Sequence, residues 1–279
     1  MANINSESFM RIKILLAIAS LAAVACAVLF VNEWMSVRGL KREIREMFFA
    51  AVRPVRLANC TLQRFGSPHD GGYLMCGNLL GEVQASYSYG IHGDDNWGCD
   101  ISKKSGVTTH QYDCFDLTRP ACPGGSFAFH EECVGDAPAR IEGRAFDTVA
   151  NQVRRNSDVG KRLVVKMDVE NAELGALSAT PDDLLNQIDQ LVVEFHRIDW
   201  LQSVRLMEKL KRTFVIAYVH ANNYACPWGI LPFTSGANEI LFVNKRLAIV
   251  EGTGSATPTV SPLATPNYPD RPDCQPRWP

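Results

Sequence analysis

The side chains with the most chemistry to offer stand at the ends of apolar, β-branched runs. Lys166-Met167-Asp168-Val169-Glu170 leads into Asn171-Ala172-Glu173, which puts three carboxylates within six residues. Carboxylates that close resist ionising together, so the group suits a cation, a substrate hydroxyl or an amino group. The plainer reading is an aspartate that caps the next helix and glutamates that face solvent. Glu194-Phe195-His196 ends another run, and strand alternation puts Glu194 and His196 on one face. His220-Ala221-Asn222-Asn223 ends a third. A lone histidine is more often a hydrogen-bonded structural residue, but two histidines and several acids share this edge. Asp168, Glu194, His196 and His220 are the candidate catalytic groups, as proton donors or acceptors. No spacing marks a metal set: a cation on Asp168, Glu170 or His196 has no specific signature, and no metal is assigned.

A second group reads as binding. Tyr89-Gly90-Ile91-His92-Gly93-Asp94-Asp95 follows a strand and opens a helix. Gly90 and Gly93 let backbone approach a ligand closely, and a helix N-terminus follows beside Asp94. Asp113 ends the next strand, about 20 residues beyond Gly90, where a carboxylate can accept both hydroxyls of a ribose. Asp136, after Val134-Gly135, is placed to meet an adenine amine.

Such positions require strands that end together. Residues 84–91, 107–115, 126–134, 163–169, 190–196, 213–221 and 238–245 are aromatic or β-branched runs of strand length. Helical spacing covers residues 94–106, with Asp94 or Asp95 near the N-cap and Gly106 at the close. It also covers residues 146–155 and 201–212, and Thr180-Pro181-Asp182-Asp183 opens a further helix. The alternation predicts an α/β fold with a parallel sheet and helices on both faces. The last two strands are separated by about 16 residues rich in proline and glycine, which predicts a terminal antiparallel hairpin. In open sheets of this kind ligands bind beyond the carboxyl ends of the strands.

The 279 residues carry 28 basic and 30 acidic side chains, so no basic excess points to a nucleic acid partner. With 46% hydrophobic residues the chain can bury a core. Residues 14–31, ILLAIASLAAVACAVLFV, are uninterrupted and apolar, at the lower edge of membrane-spanning length. A retained single-pass anchor over residues 1–35 is the first reading, with Trp34 at the interface. A signal peptide cleaved after Ala23-Val24-Ala25, or a lipid on Cys26, is opposed by the apolar residues that continue to Val31. A buried soluble helix is opposed by the lack of a polar face. Arg11 and Lys13 precede the run, and Arg38, Lys41, Arg42 and Arg45 follow it, which slightly favours a cytoplasmic C-terminal side. Residues 36–58 read as a charged juxtamembrane helix with Val37, Leu40, Ile44 and Phe48 on one side. Residues 59–250 form the α/β domain. Residues 251–279 form a proline-rich tail, extended on the domain surface or disordered.

Eight cysteines lie beyond Cys26: Cys60, Cys76, Cys99, Cys114, Cys122, Cys133, Cys226 and Cys274. An even set suits disulfides in a lumenal or periplasmic domain, and buried free thiols are the alternative. Asn59-Cys60-Thr61 fits the glycosylation acceptor pattern.

Taken in order, several stretches resemble a membrane-anchored, methyltransferase-like branch related to FkbM-type methyltransferases. They are Tyr87-Ser88-Tyr89-Gly90-Ile91 to Trp97-Gly98, residues 110–115, Phe129-His130, residues 164–173, residues 187–196, and His220 with Asn222-Asn223. Asp70-Gly71-Gly72-Tyr73 fits that family's N-terminal segment, and the likeness spans most of residues 59–250. The resemblance implies a class I methyltransferase, Rossmann-like sheet and S-adenosylmethionine as methyl donor. It implies Gly90 and Gly93 as the cofactor loop, Asp113 as the ribose carboxylate, and Asp168 facing the methyl group. The expected reaction is O- or N-methylation of a small-molecule, glycan or lipid-linked acceptor at a membrane. Tyr87 and Ser88 stand where an acid is usual, and Asn171 where a glycine is usual. Two other readings remain: a membrane-tethered binding module that has lost turnover, and a nucleotide-dependent oxidoreductase. The latter needs a GxGxxG turn, which Gly90-Ile91-His92-Gly93 lacks.

Overall fold

A computed structural model describes residues 6–196, 198, 201–226, 236–252 and 261–274, without the side chains of residues 6–18, 21, 22, 45 and 225. The apolar run and the charged segment after it form one unbroken helix, α1 (Ser6–Ala51). No proline interrupts it before Pro54, and the residue before a proline resists helical geometry. Part of α1 is long and apolar enough to cross a membrane. Val37 and Leu40 are exposed, so the apolar side expected over residues 36–50 docks only in its last turns. Ile44 packs on the core, and Phe48, Phe49 and Val52 are buried in it.

The strands and helices that follow are β1 (Leu62–Gly66), β2 (Gly72–Cys76), β3 (Ala85–Tyr89), α2 (Asn96–Ser105), β4 (Thr108–Tyr112) and β5 (Ser126–His130). Next come β6 (Cys133–Val134), β7 (Ala139–Ile141), β8 (Arg144–Asp147), α3 (Val149–Arg155), β9 (Leu163–Met167) and α4 (Glu173–Ala179). Then come α5 (Asp182–Gln187), β10 (Ile188–Phe195), α6 (Leu201–Thr213), β11 (Phe214–Ala221) and β12 (Asn238–Asn244). Seven strands form one mixed sheet in the order β11-β12-β10-β9-β3-β4-β5. β3, β4, β5, β9 and β10 pair parallel, whereas β12 runs antiparallel to both β10 and β11. The expected hairpin of the last two strands is present, and its second strand lies inside the sheet. All seven residues of β12 are buried, while β11 alternates buried with part-exposed positions. β12, buried along its whole length although it carries Asn238, Glu239 and Asn244, takes the interior, and β11 takes the edge.

One face of the sheet packs on the end of α1 and on α3 to α6 through a large cluster that includes Phe195, Leu206 and Phe242. The other face packs on the β1–β2 hairpin and α2 through Tyr73, Met75, Trp97 and Val164. That hairpin and α4 were not expected from the sequence, because each is short and lacks a sustained period. Two expected elements are divided. Residues 126–134 break after His130, and residues 146–155 begin as β8 before α3 starts behind Thr148, whose hydroxyl accepts the Asn151 amide at 3.2 Å.

Eight cysteines form four disulfides: Cys60–Cys76, Cys99–Cys122, Cys114–Cys133 and Cys226–Cys274. Cys26 is the free cysteine of the described residues. The Asn59 side chain is not idle as a glycan acceptor would be: its amide donates to the Leu247 carbonyl at 2.8 Å and its oxygen accepts from Ile249 at 3.0 Å. The full chain unfolded without reductant is expected to show one alkylatable thiol by mass, rising to nine after reduction. Nine before reduction would refute the pairing.

Of the proline-rich tail, the described residues 261–274 lie on the domain. Asn267 is buried and donates to Glu239 at 2.7 Å and to Asp70 at 3.2 Å. Asn223 donates to the carbonyls of Tyr268 and Arg271 at 2.9 and 3.0 Å. Residues 253–260 and 275–279 lie outside the described residues.

Candidate functional site

The chain winds outward from β3 to β4 and β5 on one side, and from β9 to β10 on the other. The gap between the carboxyl ends of β3 and β9 is therefore the point where strand order reverses, and such a point opens a ligand crevice. A cavity of about 440 Å³ lies there, lined by Gly90, Asp113, Asp168, Val169 and Glu170 and walled by Tyr112, Val134 and Phe146. That size lies within the range of about 300–1,000 Å³ usual for small-molecule sites.

Gly90 closes β3 with a φ of +72°. A Cβ there would stand 1.7 Å from the Asp168 carbonyl oxygen. Lys166, buried in β9, donates from Nζ to the Gly90 carbonyl at 2.5 Å and lies 3.7 Å from the Asp168 carboxylate. The loop then reaches Asp95, which is the N-cap of α2 and accepts the Gly98 amide at 2.8 Å. Ser88 and Gln111 also donate to Asp95. A buried carboxylate thus does lie under the glycine loop, two residues beyond Gly93 and not before Gly90. Burial raises its proton affinity. Asn171 adopts a φ of +85° and Glu170 one of +51°. Asparagine is among the side chains that best tolerate the left-handed region, so Asn171 supplies the backbone turn for which glycine is usual.

Asp113 lines the cavity, but its carboxylate is already engaged. Oδ2 accepts the amides of Ile91 and His92 at 3.1 and 3.0 Å, and Oδ1 accepts those of Phe115 and Asp116 at 2.8 and 3.1 Å. A carboxylate has about four acceptor positions, and four donors fill them. Asp113 ties the glycine loop to the β4 loop and does not present free lone pairs to a ribose. Gly93, Asp94 and Asp136 do not line the cavity. Gly93 packs toward Asp116, Asp94 is exposed and accepts from Asn96, and Asp136 is exposed beside Gly175 of α4.

The acids and histidines separate into two neighbouring sets. Asp168, Glu194 and His196 converge: one ligand-type atom from each lies within 4.8 Å of the others. His196 Nε2 is 3.9 Å from Asp168, 3.7 Å from Glu194 and 3.6 Å from Glu170. Each has its own supporting partner. The Tyr73 hydroxyl donates to Asp168 at 2.9 Å, the Asn222 amide donates to Glu194 at 2.7 Å, and His196 Nδ1 meets the fully buried Glu173 at 2.9 Å. Burial, and then the charges of Asp168 and Glu239, push Glu194 well above the usual carboxylate range. Burial opposes charge on His196, but the bond and charge of Glu173, with Glu170 and Asp168, raise its proton affinity. Tyr73, Glu173 and Asn222 were not singled out as partners of this set, since they come from β2, α4 and the loop after β11 and no sequence period links them.

His220 belongs to a different set. Its Nδ1 meets Glu239 at 3.2 Å and its Nε2 meets Asp273 of the tail at 3.0 Å. With both nitrogens held, it clips the tail and is not a free base. Burial opposes its charge, but the bonds to Asp273 and Glu239 win and push its pKa to about 10. The unfolded value is about 6.5. The clip's contribution is therefore complete below pH 6.5 and is lost as pH rises through about 10. Between pH 6.5 and 9 the wild type should lose about 3 kcal/mol more stability than His220→Asn in urea titrations. Parallel curves would remove the charged clip.

The chain matches no protein-family model, no curated protein and no solved structure with which it was compared.

Proposed function

We propose that the protein is a membrane-tethered methyltransferase that uses S-adenosylmethionine. The observation that carries this reading is the cavity at the strand reversal between β3 and β9, with a glycine held against the Asp168 backbone. Strand order supports it. The β5-β4-β3-β9-β10 portion follows the 3-2-1-4-5 order of doubly wound nucleotide sheets. The inserted antiparallel β12 departs from the dinucleotide-binding order and agrees with the class I methyltransferase sheet that the resemblance implies.

The residues present fit such a donor. Gly90 allows close backbone approach, Val134, Phe146 and Val169 offer apolar walls to a flat base, and Asp168 and the exposed Glu170 add carboxylates to the lining. S-adenosylmethionine, when bound, supplies a methyl group activated by a positive sulfonium. The chain's task is then alignment of donor and acceptor. Asp168, Glu194 and His196 form the acceptor side, where a hydroxyl or amine can be oriented and its proton accepted.

Four disulfides favour an oxidising compartment for the domain. This opposes the weak cytoplasmic signal of the flanking Lys and Arg residues. The donor, made in the cytosol, then has to be imported.

Calorimetric titration of the detergent-solubilised full chain tests the reading. One site per chain for S-adenosylmethionine and its demethylated product is expected. No heat at millimolar ligand would overturn it.

A further inference from the structure

We infer that Asp168, Glu194 and His196 form a binding site for one divalent cation beside the donor cavity. An ion with bonds of about 2.1 Å holds its ligands about 3–4 Å apart. The Nε2 to carboxylate separations of 3.7 and 3.9 Å lie in that range and are too long for hydrogen bonds. His196 has the orientation of a metal ligand: Glu173 takes Nδ1 and leaves Nε2 facing the two carboxylates. Carboxylate–histidine pairs of this kind, and hydrogen bonds to ligating carboxylates, commonly fix a metal's ligands. Tyr73 and Asn222 supply the latter to Asp168 and Glu194.

A second observation points the same way. Glu173 is fully buried, and its Oε2 has no partner. Glu194 is 4% exposed, and Lys166 is the cation that reaches Asp168 from within the fold. Asp168, Glu173 and Glu194, with the exposed Glu170, thus meet one lysine and one imidazole. Carboxylates brought this close at low exposure disfavour one another's ionised form, and a divalent ion between them lowers that cost.

Two carboxylate oxygens and one imidazole suit Mn²⁺ or Zn²⁺ better than Mg²⁺ or Ca²⁺. Asp168 belongs both to this set and to the lining of the donor cavity, and Glu170, also in that lining, lies 3.6 Å from His196. An acceptor oxygen on the ion would stand next to the donor. Resting on the methyl-transfer reading, this narrows the acceptor class to hydroxyl or carboxylate oxygen able to coordinate a metal.

The test uses the full chain in detergent, stripped with chelator and without donor. Mn²⁺ is titrated with the free-ion electron paramagnetic resonance signal, and Zn²⁺ by calorimetry. One ion per chain at micromolar concentration is expected. Glu194→Gln and His196→Gln should weaken binding at least 30-fold, and Glu173→Gln about 10-fold or more. Tyr73→Phe, which removes one outer hydroxyl, keeps the test open should the others unfold, and about 10-fold weakening is expected. No ion bound at millimolar concentration, or wild-type affinity in all folded variants, would overturn the site. Parallel titration with S-adenosylmethionine separates the two readings. Ion binding without donor binding supports the metal site and removes the methyl-transfer reading. Donor binding without ion binding removes the metal site alone.

Discussion

Gly90→Ala is expected to destabilise the domain by about 2–4 kcal/mol and to abolish binding in the cavity. Two effects add. The residue holds a φ of +72°, which costs an alanine about 1 kcal/mol. The new methyl would also lie 1.7 Å from the Asp168 carbonyl oxygen and 2.7 Å from its carbon. Neither backbone has room to yield. The Gly90 amide donates to Tyr112 at 3.0 Å, and the Asp168 amide donates to Tyr89 at 3.1 Å. Forcing an atom into a packed interior costs about 1–3 kcal/mol more. Gly106→Ala is the matched control. It has a φ of +68° and nothing within 4 Å of the added methyl, so it should lose only about 1 kcal/mol. Thermal unfolding of the two variants, with a midpoint shift of about 2–4 °C per kcal/mol for a domain this size, measures the difference. Equal shifts would show that the approach of β3 to β9 is not tight.

Asp113→Ala should cost about 3 kcal/mol and weaken S-adenosylmethionine binding at least ~30-fold. Its carboxylate accepts four backbone amides, two from each of the loops after β3 and β4. Bonds to a charged group are worth about 1.5–3 kcal/mol each, and water can replace those at the exposed side. The Ile91 amide is buried and would be left without a partner. Asp113→Asn separates this role from direct ligand contact. An amide has one acceptor oxygen, so it can serve one loop while its NH2 faces the donors of the other. Stability should fall part of the way, measured by urea titration, with donor affinity falling in step. Donor affinity lost at unchanged stability would return Asp113 to the ribose.

Much of the frame was legible because single residues carry strong local signals. Asp95 and Gly106 bound α2, the mainly apolar runs of β9 and β10 are buried on both faces, and residues 201–212 have one apolar stripe. Short elements were hidden. β1 and β2 hold five residues each and α4 seven, too few for a period to emerge from chance. Composition divides α1 near residue 35, while its backbone geometry is continuous from Ser6 to Ala51.

At the site, chemistry was legible and roles were not. Asp168, Glu194 and His196 could each be placed at a strand end, and Glu194 and His196 on one face, since side-chain direction in a strand is set by its period of two. His220 satisfies the same rule, yet Asp273, 53 residues away, captures it. Asp113 also stands where a ribose carboxylate belongs, yet its loops turn four amides onto it. Local sequence determined which groups reach the edge of the sheet: the apolar runs, the turn glycines and the side-chain period act within a few residues. Tertiary structure decided which of those groups remain free. Hydrogen bonds from β2, α4, the loop after β11 and the tail satisfy some lone pairs and leave others open, and no short-range pattern encodes contacts made over such distances along the chain.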